Sequence, residues 1–287
     1  MRRLTRSRRY KSTPLARIRH LVVRGPGVPT EALGKGETGM MRLSASMFAA
    51  ILLANVATPA PAPQEKADEP EPAAVAALEK MGAYLRTLRA FEVESDSTSE
   101  EVLSQGLKSQ SSRKATLLAR RPDRLRVEVE APGGATFYLF DGKTFTLFAR
   151  DPGYYATVPA PSTIRELAEA LDKKFDVQLP LVDLFLWGDP DFKPPKITAA
   201  VDIGPGNVQD TTCEQYAFRQ DGLDWQVWIQ LGDFPLPRKL VLTTTTDAAR
   251  PQYAAVLNWN LAPSYNEETF TFDPPVSARK IVFAPQP

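Results

Sequence analysis

The chain has 287 residues, with 35 Lys/Arg against 34 Asp/Glu, one Cys and one His. One cysteine excludes an internal disulfide. The lone histidine, His20, sits in a basic leader, so the rest of the chain has no imidazole for Ser-His-Asp or Cys-His catalysis or for a His-containing zinc site.

Residues 1–39 read as a basic N-terminal extension. Residues 1–42 hold eleven Lys/Arg and two Asp/Glu, so the near-neutral total hides a net acidic body. That body argues against nucleic acid as a partner, which needs Lys/Arg clustered on one face. Ser7-Arg8-Arg9 hints at a twin-arginine signal, but the apolar region follows far too late, and the biological start is read as Met40 or Met41. Residues 40–62 read as a secretory signal. A short basic start leads into an apolar run from Met47 to Val56, and Ala60-Pro61-Ala62 is the expected cleavage site, with Ala57 as the alternative. An apolar run of about ten residues is too short for a membrane span, which needs ~20. No Cys directly follows the run to take a lipid. The expected compartment is therefore the periplasm. Residues 63–71, rich in Pro, Ala and acidic side chains, read as a disordered spacer. Residues 72–287 read as a single β-rich domain.

A helix is expected from about Pro72 to Leu88, where Ala74, Leu78, Met81, Leu85 and Leu88 form one apolar stripe. Phe91 to Ser97 alternates as a strand. The polar segment Ser95 to Ser112 leads into a second strand, Arg113 to Arg120, and Arg121-Pro122-Asp123 makes a turn. Leu125, Val127 and Val129 then alternate with charged residues. Asp141-Gly142 is read as a two-residue hairpin turn, pairing Tyr138 with Phe145 and Thr136 with Leu147. That hairpin is apolar on both faces, with Phe137, Leu139 and Phe148 opposite Tyr138, Phe140, Phe145 and Leu147, so both need cover. Tyr154 to Val158 adds a strand.

Thr163-x-x-Glu166 fits a capping box that opens a helix to about Lys174. Leu179 to Trp187 reads as a second packed helix. Pro190, Pro194 and Pro195 break the chain before Ile197 to Ile203 resumes as a strand, and Gly204-Pro205-Gly206 reads as a turn. Cys213 to Thr246 is the organising stretch. Closing a hairpin at Asp221-Gly222 pairs Phe218 with Trp225 and Tyr216 with Val227, and puts Ile229 on the same face. Leu240 and Leu242 lie on the next strand. Gln252 to Asn260 and Glu268 to Phe272 add two more, and Ile281 to Phe283 closes the sheet. The expectation is an α+β, mainly antiparallel chain of about eleven strands, curved, with helices on the concave face.

Several stretches carry a resemblance: RRPDRLRVEVE (Arg120 to Glu130), DGKTFTLF (Asp141 to Phe148), YYATVPAPSTI (Tyr154 to Ile164), LPLVDL (Leu179 to Leu184), DWQVWI (Asp224 to Ile229), PLPRKLVL (Pro235 to Leu242) and FTFDPP (Phe270 to Pro275). Together they resemble the predicted periplasmic proteins grouped as domain of unknown function 2092. That family is similar in shape to the lipoprotein carrier LolA and the receptor LolB, unclosed β-barrels whose helices plug the concave side and which hold acyl chains. The resemblance implies a LolA-like half-barrel and a lipid or lipoprotein acyl chain as partner. It carries over no cargo-binding residue.

No P-loop, EF-hand or dinucleotide motif is present, and no catalytic, metal or cofactor residue is assigned. Ser111-x-x-Lys114 enters a strand rather than a helix start. Asp189-Pro190-Asp191 reads as a surface turn and Glu267-Glu268 as a solvated strand edge. Arg120-Arg121 and Arg124-Arg126 read as solvated edges, with transient contact to anionic headgroups as the alternative. The remaining candidates for a hydrophobic cavity are Tyr138, Phe145, Leu147, Tyr216, Phe218, Trp225, Val227 and Ile229, with plain core as the competing reading. The functional expectation is a non-catalytic binder or carrier of a hydrophobic ligand. The alternative is a structural or interaction module with an envelope protein partner, working through loops such as Gly232 to Pro237. A hydrolase based on two carboxylates stands third.

Overall fold

Alternating strands and tight turns build one twelve-stranded sheet in the computed structural model, which describes residues 69–187, 189–192 and 194–283. The extension 1–39, the signal 40–62 and the spacer up to residue 68 lie outside the described residues. Helix α1 (Pro72–Thr87) precedes a meander of β1 (Ala90–Val102), β2 (Lys108–Arg120), β3 (Arg124–Ala131), β4 (Gly134–Phe140), β5 (Thr144–Ala149) and β6 (Tyr154–Pro159). Helices α2 (Ile164–Phe175) and α3 (Asp183–Leu186) follow. A second meander then runs through β7 (Ala199–Val208), β8 (Thr211–Gln220), β9 (Leu223–Gln230), β10 (Pro237–Thr244) and β11 (Gln252–Asn260), before the short β12 (Arg279–Lys280).

The first meander grows outward from β1. The second starts at the far edge with β7 and winds back until β11 pairs with β1, giving the order β12-β6-β5-β4-β3-β2-β1-β11-β10-β9-β8-β7. Every pairing is antiparallel except β12 with β6, which run parallel over two residues. The sheet is an unclosed half-barrel with α1, α2 and α3 packed on its concave face.

Period-two alternation decides the core. Phe91, Leu117, Val127, Phe140 and Phe145 from the first meander, and Phe218, Trp225, Val227, Leu240 and Leu257 from the second, join Met81 and Leu85 of α1 and Leu167 and Leu171 of α2 in one buried cluster. The β8–β9 hairpin closes as expected: Phe218 pairs with Trp225, Tyr216 with Val227 and Gln220 with Leu223, around Gly222 at φ +75°. Leu242 pairs with Trp225 and Leu240 with Val227, which extends the apolar face onto β10.

Several local expectations are corrected. At Asp141-Gly142 the loop has four residues, so Phe140 pairs with Phe145 and Tyr138 with Leu147. The Asp141 carboxylate explains this by accepting from the Lys143 and Thr144 N–H groups (2.9 and 2.7 Å) and from the Thr144 hydroxyl (3.0 Å). A slip of two residues keeps every side chain on its face. The polar stretch Ser95 to Ser112 is itself strand, the outer part of a long β1–β2 hairpin held by Ser99–Ser111 and Lys108–Glu100 contacts. Gly204-Pro205-Gly206 lies within β7, where an edge strand tolerates a proline, with a register shift between Asp202 and Gly204. Glu268 to Phe272 is not a strand: Glu267–Phe270 is a 3-10 turn, capped reciprocally by Asn266 and Thr269. The closing strand is Arg279–Lys280, starting two residues earlier than Ile281 to Phe283, although Ile281 N–H still donates to the Tyr155 carbonyl.

Candidate functional site

The layer covering the sheet is built from α2, α3 and the irregular segment between them. Thr163 caps α2 by accepting from Glu166 N–H at 3.2 Å. The Glu166 carboxylate takes the Ser162 hydroxyl instead of closing the expected box. The helix ends at Asp176, in the left-handed region at φ 53°. Leu179 to Trp187 is packed as expected, with Leu181 and Val182 half-buried, but only Asp183–Leu186 is helical. Its anchor is Arg121, whose Nη2 donates to the Leu184 carbonyl at 3.2 Å and whose guanidinium lies 4.9 Å from the Phe185 ring. Burial lowers the Arg121 pKa, opposed by Asp189.

Two cavities adjoin Trp187 at the end of this layer. The first, about 120 Å³, sits between α2, α3 and the β10–β11 face. Ala168, Leu181, Leu184, Trp187 and Leu240 contribute its apolar wall, and Glu169, Asp172, Gln178, Asp183 and Tyr253 its polar one. Burial pushes the Asp183 carboxyl up to about 7. Burial also raises the Tyr253 phenol, opposed by hydrogen bonding to Ser97. The second cavity, about 200 Å³, lies between α1, the proline-rich segment and the β8–β9 hairpin, lined by Leu78, Phe192, Pro194, Ile197, Gln220 and Trp225 among others. Trp187 belongs to both walls.

Of the eight residues singled out in the sequence, Tyr138, Phe145, Phe218, Trp225, Val227 and Ile229 are buried in the core cluster, and Leu147 and Tyr216 pack against it half-buried. The fold brings them onto one face of the sheet. Trp225 also lines the second cavity, while the two cavity walls do not include the other seven. Phe218 and Trp225 stack at 4.3 Å between ring centroids.

Trp187, Asp183, Tyr253 and Gln220 were not singled out as site residues in the sequence. Asp183 had a signal as the lone acid in an apolar run, and Gln220 shared its parity with Phe218. The arginine cluster is corrected too. Its side chains stay partly exposed but are paired: Arg120 binds Glu267 through two hydrogen bonds (2.5 and 3.1 Å), and Arg124 adds a third at 3.3 Å. Glu267 is therefore no free strand edge. The clasp draws the C-terminal segment over the convex face, where Phe272 packs on Phe148 and Tyr155 and covers that side of the β4–β5 hairpin.

Of the carboxylates considered for hydrolysis, Asp189 and Glu267 are engaged structurally. Asp189 accepts from Asp191 N–H and pairs with Arg165 at 3.6 Å. Ser111 contacts Ser99, and Lys114 faces Asp96 at 3.8 Å. Among the described residues, no group of three or more His, Cys, Asp or Glu is placed to hold a metal ion. Among them too, no helix is long and apolar enough to cross a membrane.

The family model described as "Predicted periplasmic protein (DUF2092)" matches residues 74–284. No curated protein matches the chain. Among solved structures, LprF from Mycobacterium bovis is similar at 14% identity over 74% of this chain and 100% of that one, with a TM-score of 0.41. The lipoprotein LppX from Mycobacterium tuberculosis is similar at 9% identity over 68% and 100%, with a TM-score of 0.35. A LolA superfamily protein from Nitrosomonas europaea is similar at 10% identity over 69% and 97%, with a TM-score of 0.34.

Proposed function

This chain belongs to the DUF2092 family of predicted periplasmic proteins, and we propose that it is a non-catalytic binder or carrier of a hydrophobic ligand, a lipid or the acyl chain of a lipoprotein. The ligand lies between the concave face of the sheet and the α2–α3 layer. The observation that carries this reading is the pair of cavities that share Trp187 as a wall residue. Each alone is smaller than the ~300 Å³ at which ligand pockets begin, and a swing of the Trp187 indole joins them to about that size. The covering segment suits such a movement. It holds four helical residues between irregular stretches, and displacing a lid turns core into cavity.

Native mass spectrometry of the mature protein, purified from the periplasm without detergent and followed by lipid extraction, tests the reading. A stoichiometric apolar adduct is expected in the wild type and absent from a folded Ala168→Trp variant, whose indole fills the first cavity. A clean apo mass from the wild type overturns it. The second reading, an interaction module, is favoured by the β9–β10 loop. There Leu231 and Phe234 stand about half exposed, and Phe234 meets Tyr84 of α1 edge-on at 6.0 Å.

A further inference from the structure

We propose that the second cavity reads the polar end of the ligand, and that this end is a neutral acyl carbonyl, an ester or an amide, rather than a free carboxylate. The inference rests on the hydrophobic-ligand reading above and adds the chemical class of the ligand.

Two donors carry it. Gln220 Nε2 and Trp225 Nε1 are both buried without a hydrogen-bond partner, on side chains only 3% and 2% exposed, and both side chains line this cavity. Buried donors in folded proteins are nearly always paired, and an orphan signals a missing partner. Two orphans in the wall of one cavity point to a single partner that is not part of the chain. They come from neighbouring strands of the β8–β9 hairpin, where Gln220 pairs with Leu223 and Trp225 with Phe218, so the tight turn at Gly222 holds them side by side. The stacking of Trp225 on Phe218 fixes the indole plane. An indole N–H donates and cannot accept, so the partner must be an acceptor.

Charge narrows the class. Among the described residues, the ionisable members of the wall are Glu79 and Asp189, both acidic. Asp189 is partly answered by Arg165 at 3.6 Å. A carboxylate ligand entering this wall meets like charge, whereas a neutral carbonyl meets only the two N–H dipoles. The rest of the wall, Leu78, Trp187, Phe192, Pro194 and Ile197, accepts the adjoining methylenes. The chain of such a ligand continues past Trp187 into the first cavity.

The competing occupant is water, which a cavity of this size admits. Three probes of similar length separate the cases: methyl decanoate, a neutral acceptor; decanoate, a charged acceptor; and undecane, with no acceptor. Each is titrated into the ¹⁵N-labelled mature protein while the indole N–H signals are followed, and Trp225→Phe assigns the Trp225 signal. Methyl decanoate is expected to move that signal downfield and to bind about tenfold more weakly to Gln220→Leu and to Trp225→Phe, the size of one buried hydrogen bond. Decanoate is expected to bind more weakly than the ester. Without ligand, Gln220→Leu is expected to raise Tm, because it deletes an unpaired donor, and this opposite sign separates a donor reserved for ligand from a structural one. Trp225→Phe keeps an aromatic ring against Phe218 and so guards the test against simple unfolding.

Undecane and ester binding equally to wild type and variants, with the Trp225 signal unmoved, overturns the inference, assigns the donors to water and leaves the hydrophobic-ligand reading standing. Decanoate binding more tightly than the ester overturns the choice of a neutral carbonyl. Binding of none of the three overturns both.

Discussion

Arg121 donates to the Leu184 carbonyl across 63 positions of sequence, and this bond ties the β2–β3 turn to the layer over the first cavity. The same guanidinium lies within 4.9 Å of Phe185 and 6.0 Å of Phe91. Arg121→Ala removes a hydrogen bond from a charged donor and two cation–aromatic contacts, and relieves the burial of a charge. The net expectation is a loss of about 2 kcal/mol, read by urea unfolding. Amide exchange at residues 184–187 is expected to rise more than elsewhere. An unchanged exchange pattern would show that the covering segment is held by packing alone.

Asp183 makes stability depend on pH. Its carboxyl is raised from the ordinary 3.8 to about 7 by burial. The groups around it on the cavity wall are Glu169 and Asp172 of α2 and Tyr253 of β11, and they include no base. A raised folded-state pKa means the unfolded chain ionises first. The stability Asp183 allows is fully present below about pH 4, falls as the pH rises and reaches its floor above about pH 7. Asp183→Asn is expected to stabilise the protein by about 2–4 kcal/mol at pH 8 and by little at pH 4. Thermal melts across that range would refute the assignment if the two proteins ran parallel.

The Arg120–Glu267–Arg124 clasp is exposed, so its role is local. Glu267→Gln is expected to leave the global melt nearly unchanged while speeding proteolysis within residues 262–283, the stretch it draws onto Phe148 and Tyr155. The two arginines depress the Glu267 carboxyl. Its contribution is present above the ordinary glutamate range and disappears as the pH falls through the lowered value, so wild type and variant should be cut at equal rates in strong acid. Equal rates at neutral pH would remove the clasp from the account.

Gly222 occupies φ +75°, and a Cβ there would stand 3.2 Å from Thr246 Cγ2. Gly222→Ala is expected to cost about 1–2 kcal/mol from the left-handed backbone alone, measured by urea unfolding. It also disturbs the turn that holds Gln220 beside Trp225, so the Trp225 indole N–H signal is expected to shift in the same variant.

Two Asp-Gly turns show how far local reading reaches. At Asp221-Gly222 the next residue is Leu223, which offers no side-chain hydrogen bond, and the two-residue loop follows the dipeptide. At Asp141-Gly142 the next residues are Lys143 and Thr144, whose groups bond back to Asp141 and widen the loop to four. The faces survived because a two-residue slip preserves parity. The 3-10 turn at Glu267 was missed because its capping by Asn266 and Thr269 competes with a strand-like pattern of Thr and Phe.

Alternation and the apolar stripes of the helices are properties of short windows, and the sequence alone determined the strand faces and the helix-bearing side. The cavities and the clasp belong to the tertiary structure. A cavity is the space left where side chains from α1, α2, α3 and the sheet fail to fill one another's gaps, and no single stretch records that mismatch. Arg120 and Glu267 are 147 positions apart, and only the return of the chain over the convex face makes them neighbours. Only the fold buries Gln220, without a hydrogen-bond partner for its Nε2, on the same cavity wall as Trp225.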